Sequence, residues 1–254
     1  MVPPVVEEPT PVLSRFDCRT VIRPTVILTM RCLAPEDTKL QTFVVAAVRT
    51  VKALHGVVHQ YRAGTLIAIW TKSAKANRPH VLAARAGIEI REILQKDKIN
   101  VAMGIDVSTC KAGNVGSADT MMFNELCGEA VEESAALCTL CEHLRGRILI
   151  TRDVHQQCGS ACIMRKAGHK AQSIGQLGCM QDPPVYEILD LRASEKSAKD
   201  SEWMYIMQEE DKLIDSFKTF ESAVVMYVEG ETERALKLKD KASLLTHQGG
   251  KGDV

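Results

Sequence analysis

Between residues 25 and 106, short apolar β-branched runs alternate with two long amphipathic stretches, and their order leaves few chain paths open. Thr25–Met30 (TVILTM) reads as a buried strand. Asp37 is expected to cap the helix that follows, which sets Leu40, Phe43, Val44, Ala47, Val48, Val51 and Leu54 on one face. Gly56 should end it. Val57–Tyr61 and Thr65–Trp70 then read as two strands joined by a hairpin-sized link, Arg62-Ala63-Gly64. The polar stretch TKSAKANRPH leads to a second helix with Leu82, Ala86, Ile90, Ile93 and Leu94 inward, and Asn100–Asp106 is strand-like again.

Strand, helix, strand, strand, helix, strand is the ferredoxin-like βαββαβ order, with both helices on one face of an antiparallel sheet. The fold class is therefore α/β of the α+β kind. AGNVGS (112–117) reads as a Gly-rich turn, followed by a strand at Met121–Cys127, a helix from about Glu129 to His143, and the strand RILIT (147–151). An irregular Gly- and Cys-containing stretch separates these from the strand VYEILDL (185–191). Four prolines fall in the first eleven positions, so residues 1–22 read as an extended arm ahead of a domain at 23–191. Residues 192–202 (RASEKSAKDSE) read as a linker, 203–246 as a helical hairpin broken at Gly230, and 247–254 as a frayed tail.

The 32 Lys+Arg are matched by 32 Asp+Glu, which leaves no basic excess for a nucleic acid partner. No apolar run approaches the ~18 residues of a membrane span. MVPPVVEEPTPV lacks the basic and apolar regions of a secretory signal, so the nine cysteines are expected as reduced thiols in the cytoplasm.

The stretch GIDVSTCKAGNVGSADTMMFNELCGEAVEESAALCTLCEHLRGRILIT (104–151) resembles the class III nucleotidyl cyclase catalytic domain. That family reads approximately G-I-H-x-G-x-V-x-A-G-N-V-G, then Y-T-V-x-G-D-x-V-N-x-A-x-R-L, then I-L-I-S. PPVYEIL (183–189) resembles its closing strand, and the resemblance spans about residues 22–191. It implies a ferredoxin-like core extended as in the adenylate and guanylate cyclases. In that family two aspartates hold two divalent ions at a head-to-tail dimer interface, and an Asn, an Arg and a Lys complete the site.

Each of those positions is substituted in this chain. Arg31 stands in place of the first metal aspartate, and Gly64, or Ala63 with a one-residue slip, in place of the second. The Asn position is Glu132 and the transition-state Arg position is Ala136. The base-selecting positions are Gln60 and Glu125, and Ser173–Pro184, where the phosphate-binding Lys would lie, contains no lysine. Loss of one such charge costs about 10²–10³ in rate. The resemblance therefore implies a degenerate, inactive cyclase-homology domain with no metal and no cofactor. Its expected role is structural or regulatory contact with other proteins, another cyclase-homology domain or a large complex among them. Similar cyclase-like proteins of flagellated protists point to a cilium, flagellum or cytoskeletal assembly. The alternatives are a nucleotide or small-molecule sensor using the remnant cleft and, less favoured, an active cyclase.

Three other patterns have simpler readings. Cys138-x-x-Cys141 and Cys158-x₃-Cys162 have zinc-like spacing, but buried thiols packing as small hydrophobes account for them better. Glu129, Glu132 and Glu133 read as a solvated helix N-terminus rather than a cation site. Ala223-x₃-Tyr227-x₂-Gly230-x₄-Ala235-Leu236 resembles half of a tetratricopeptide repeat, and one hairpin cannot stack as a solenoid. Its first helix carries a stripe of Trp203, Ile206, Met207, Leu213, Ile214, Phe217, Phe220, Val224 and Tyr227. Such a face must be covered, and the charged linker gives it reach toward another chain.

Overall fold

The structure, a computed structural model, describes residues 20–34, 36–73, 75–117, 121–143, 147–169, 183–192, 203–228 and 231–248. Residues 1–19 of the expected arm, most of the linker (193–202), Gly230, residues 170–182 and the tail from 249 lie outside the described residues. Thr20–Ile22, expected to belong to the arm (1–22), instead open the first strand because they pair with Lys111–Gly113.

The expected βαββαβ unit is present as β1 (Thr20–Cys32), α1 (Asp37–Ala53), β2 (Val57–Arg62), β3 (Thr65–Thr71), α2 (Pro79–Lys96) and β4 (Val101–Ser117). After it come β5 (Met121–Cys127), α3 (Glu129–His143), β6 (Ile148–Ile150), α4 (Arg152–Cys158), β7 (Cys162–His169) and β8 (Pro184–Leu191). The eight strands form one sheet in the order β2-β3-β1-β4-β6-β8-β7, with β5 paired to β4 off that path. β4 and β6 run parallel, and the other pairs are antiparallel.

Side chains alternate along β1 and so sort the two faces. Val26, Leu28 and Met30 join Phe43, Ala47 and Val51 of α1 and Ala86, Ile90 and Leu94 of α2 in the main core. Ile27 turns to the other face, beside Ala130 of α3, and Thr29 Oγ1 lies 2.8 Å from Ser134 Oγ. Ile93, expected inward, is exposed: it sits at the edge of the α2 stripe, and the core is filled by Ala86, Ile90 and Leu94.

Local punctuation differs from the sequence reading in several places. Asp37 is the first helical residue rather than the cap, which is Glu36 and makes no side-chain cap bond. At the C-terminus of α1, His55 takes the left-handed conformation (φ 59°) expected of Gly56. Gly56 is needed for a different reason: a Cβ there would strike the indole of Trp70, whose Nε1 donates to Leu54 O at 2.9 Å. The hairpin link narrows to Ala63 and Gly64, at φ 48° and 76°, a two-residue turn with both central residues left-handed. AGNVGS is not a turn. It is the distal part of β4, paired residue by residue with β5 so that Asn114 faces Asn124. A ladder on that side satisfies the backbone and tolerates glycine, which composition alone reads as a break. The stretch expected to be irregular contains α4 and β7, elements too short or too cationic to show a period.

The C-terminal hairpin is α5 (Trp203–Val228) and α6 (Thr232–Gln248), two residues longer at its end than expected. Among its described side chains, Glu210, Ser216 and Ala223 of α5 and Ala235 and Ala242 of α6 are buried. Of the expected stripe, Phe220 and Val224 are exposed and Leu213, Ile214 and Phe217 half-buried, while the side chains of Trp203, Ile206, Met207 and Tyr227 lie outside the described residues. α5 rests in part on its own domain. It lies against β7, the terminal strand: Glu221 Oε1 accepts the Lys166 backbone N–H at 2.9 Å, and the Arg165 guanidinium sits 5.9 Å from the Phe217 ring centre. A strand edge needs its outward N–H groups satisfied, and a helix of the same chain supplies this.

α3 approaches β4 so closely that a Cβ on Gly104 would run into the backbone of Ser134 and Cys138. Gly104→Ala is expected to lower unfolding free energy by about 3 kcal/mol or more, because backbone rather than a side-chain tip must move. Urea denaturation monitored by circular dichroism measures this.

Candidate functional site

Arg31 and Gly64 meet at one end of the sheet. Arg31 faces Thr65 in the β1–β3 ladder, and the next residue, Cys32, donates its N–H to Gly64 O at 3.1 Å. Arg31 Nε donates to Thr65 Oγ1 at 3.0 Å, and its terminal nitrogen to Glu142 Oε1 of α3 at 2.5 Å. The two ion-paired side chains are 40% and 27% exposed, so solvent screening holds the pair to about 1 kcal/mol at most. Its significance is chemical. A divalent ion needs anionic oxygen ligands, whereas this corner offers a guanidinium, a glycine without a side chain, and a carboxylate engaged by that guanidinium. The residues present do not fit a metal pair.

The other sequence-derived positions are not gathered there. Glu132 is exposed on α3 and Ala136 half-buried four residues on. Gln60 lies on β2 opposite Ile67, beside a bulge after Val58, and Glu125 lies on β5 opposite Gly113. Both are exposed. They flank, without lining, a groove of about 480 Å³ on the sheet face, bordered by Val21, Arg23, Val57, His59, Cys110 and Gly113. Sequence reading missed this groove because its lining is scattered over four strands, and only the pairing of β1 with β3 and β4 assembles it.

The two cysteine pairs lie on opposite faces of the sheet. Cys138 and Cys141 pack with Ala102 and Leu149, and Cys158 and Cys162 pack in the main core beside Ile188. Cys138 donates to Ala102 O and Cys141 to Arg147 O, and burial pushes both thiols up to about 12. They behave as small apolar groups with weak donors. Among the described residues no three His, Cys, Asp or Glu side chains are placed to share a metal.

A second cleft, about 350 Å³, collects Asp106, Glu129, Glu133, Asp153 and Thr151. Asp106 is buried, and Thr151 Oγ1 donates to it at 2.5 Å. Burial raises its pKa above the usual carboxylate value, the Thr151 bond opposes that, and Glu133 and Asp153 add to it. Of the three glutamates expected at the solvated helix N-terminus, Glu132 faces solvent while Glu129 and Glu133 border this cleft. On the neighbouring face, His155 of α4 stacks on Tyr186, with ring centres 3.8 Å apart, and burial lowers its pKa.

With this geometry in place, comparison with solved structures defines the class of fold. The adenylyl cyclase CyaB from P. aeruginosa superimposes with a TM-score of 0.57 at 16% identity, over 68% of this chain and 96% of that one. A bacterial light-regulated adenylyl cyclase gives 0.57 at 17% identity, over 77% of this chain and 57% of its own. The guanylate cyclase domain of RhGC from Catenaria anguillulae, solved in complex with GTP, gives 0.54 at 10% identity, over 66% and 97%. The fold is that of the class III adenylyl and guanylyl cyclase catalytic domains, as the resemblance implied. No family model matches the sequence, and no curated protein does. Among the described residues no helix is long and apolar enough to cross a membrane.

Asp106 carries a pH signature. Its folded pKa lies above its unfolded one, so ionisation in the folded state costs stability as pH rises through that interval, and the penalty persists above it. Asp106→Asn, which keeps an acceptor for Thr151, is expected to raise the thermal midpoint at pH 7. The gain should shrink as pH falls through the carboxylate range and vanish below about pH 3, where the carboxyl is neutral in both states. Calorimetric scans across pH measure the difference.

Proposed function

We propose that this chain is a catalytically silent cyclase-homology module whose role is structural or regulatory contact with other proteins inside the cell. One observation carries the reading: the Arg31 guanidinium, paired with Glu142 and bonded to Thr65, stands beside Gly64 at the corner where cyclase chemistry requires two carboxylates. A fixed cation there repels a divalent ion and cannot activate a ribose hydroxyl. Glu132, Ala136, Gln60 and Glu125 remove the complementary half-site, so the chain cannot complete an active heterodimer either. What the fold retains is surface. Val21, Val57 and Tyr61 are exposed on β1 and β2, and apolar side chains of that size favour a partner. A second cyclase-homology domain is the simplest occupant, and a cytoskeletal or flagellar complex is the larger setting the sequence resemblance favours.

The purified chain should form no cyclic nucleotide from ATP or GTP with either Mg²⁺ or Mn²⁺, alone or mixed with an active homologue. Metal-dependent product above a heat-killed control would overturn the reading. In a pull-down from the source cell, Val57→Asp on the edge strand should lose partners that the wild-type chain retains, and identical partner sets would count against contact through this face. The sheet-face groove of about 480 Å³ supports the second reading, a sensor without metal. Calorimetry with a panel of nucleotides separates the two, since saturable heat at that groove favours the sensor.

A further inference from the structure

A pocket of about 340 Å³ lies between β7 and the helical hairpin, at the opposite end of the sheet from β2 and the sheet-face groove. Two arginines of its lining share one buried carboxylate. Glu187, whose side chain is 6% exposed, lies 2.7 Å from Arg165 Nε and 3.4 Å from Arg147 Nε. Both arginine side chains are 36% exposed and line the pocket. Each contacts Glu187 through Nε, and a guanidinium also carries terminal N–H donors suited to a further anion. Lys166 adds a third cation to the lining and Glu221 a second carboxylate, already accepting the Lys166 backbone N–H. Three cations against two carboxylates leave an excess of one positive charge.

The wall opposite is aromatic. Phe217 lies under the Arg165 guanidinium, and Phe220 continues the surface from an exposed position. The small residues Ser216 and Ala242 leave the space open. A planar guanidinium fork matches a carboxylate, a monoanion neutralises the excess charge where a dianion would overshoot it, and aromatic side chains favour an offset ring. The volume is at the small end for ligand sites. We propose that this pocket binds a small monocarboxylate carrying a planar apolar ring, its carboxylate on the Arg147–Arg165 pair and its ring against Phe217 and Phe220. The site is independent of the sheet-face groove and of the cyclase-type positions.

The test is a titration of the full chain, by calorimetry or NMR, with benzoate, benzamide, phenyl phosphate and N-acetylglutamate amide as probes. Benzoate should saturate in about the millimolar range. Benzamide, its neutral isostere, should bind roughly tenfold more weakly, and neither phenyl phosphate nor N-acetylglutamate amide should bind more tightly than benzoate. Arg147→Lys keeps a charge beside Glu187 but removes the fork, and should weaken benzoate roughly tenfold. Phe220→Ala, at an exposed position that folding does not need, should weaken it by a similar factor, with unchanged thermal unfolding. No saturable benzoate binding, equal affinity for benzamide, or affinity untouched in both variants overturns the proposal. Tighter phenyl phosphate would make the site one for a phosphate group, and tighter N-acetylglutamate amide one for an acidic side chain of a protein; either result overturns it as stated.

Discussion

β1 is hydrogen-bonded to β4 along its thirteen residues and to β3 over seven of them, and that double ladder places everything else. With the backbone of β1 fixed from both sides, its side-chain alternation becomes a rule for the whole molecule. One set of residues must meet the apolar stripes of α1 and α2. The other set must meet α3, which settles so close that only a glycine fits at position 104. Arg31 belongs to the second set, so the same alternation that brings Ile27 to Ala130 delivers a guanidinium to Glu142. A one-residue slip of the strand would bury Arg31 among core side chains, and the register is correspondingly firm.

At that corner backbone geometry and side-chain charge can be told apart. The backbone relation of β1 to the β2–β3 turn is intact, with Cys32 donating to Gly64 O, yet the groups displayed there have the wrong charge for a metal. The two-residue turn demands left-handed backbone at Ala63 and Gly64, a constraint of geometry that holds whether or not a carboxylate is present. Scaffold and chemistry are thus separable at the level of single residues: ladder and turn need backbone conformation, and catalysis needs side-chain charge.

The helical hairpin extends the sheet's logic at its far edge. β7 ends the strand order, and at Lys166 its N–H is met by Glu221 of α5 rather than by another strand. Ser216, Ala223, Ala235 and Ala242 are buried in the hairpin, while Phe220 and Val224 of α5 are exposed. Phe217 reaches Arg165, and Phe220 is left at the rim of the pocket with the two arginines.

The sequence by itself determined the βαββαβ order, because strand and helix periods are local properties of side-chain spacing. Its resemblance to a family pattern also pointed to the cyclase-like fold that the solved structures share. It misplaced AGNVGS, which reads as a turn when glycine is weighed without its partner strand, and it passed over α4 and β7, whose stabilising contacts come from distant elements. It placed Phe220 and Val224 on the hairpin's buried face, and both are exposed. Tertiary structure alone decided that Arg31 pairs with Glu142, 111 residues away, that the two cysteine pairs lie on opposite faces of the sheet, and that Arg147 and Arg165 converge on Glu187. Those arrangements depend on strand register and on the closeness of helix packing, and neither is written in the spacing of any one segment.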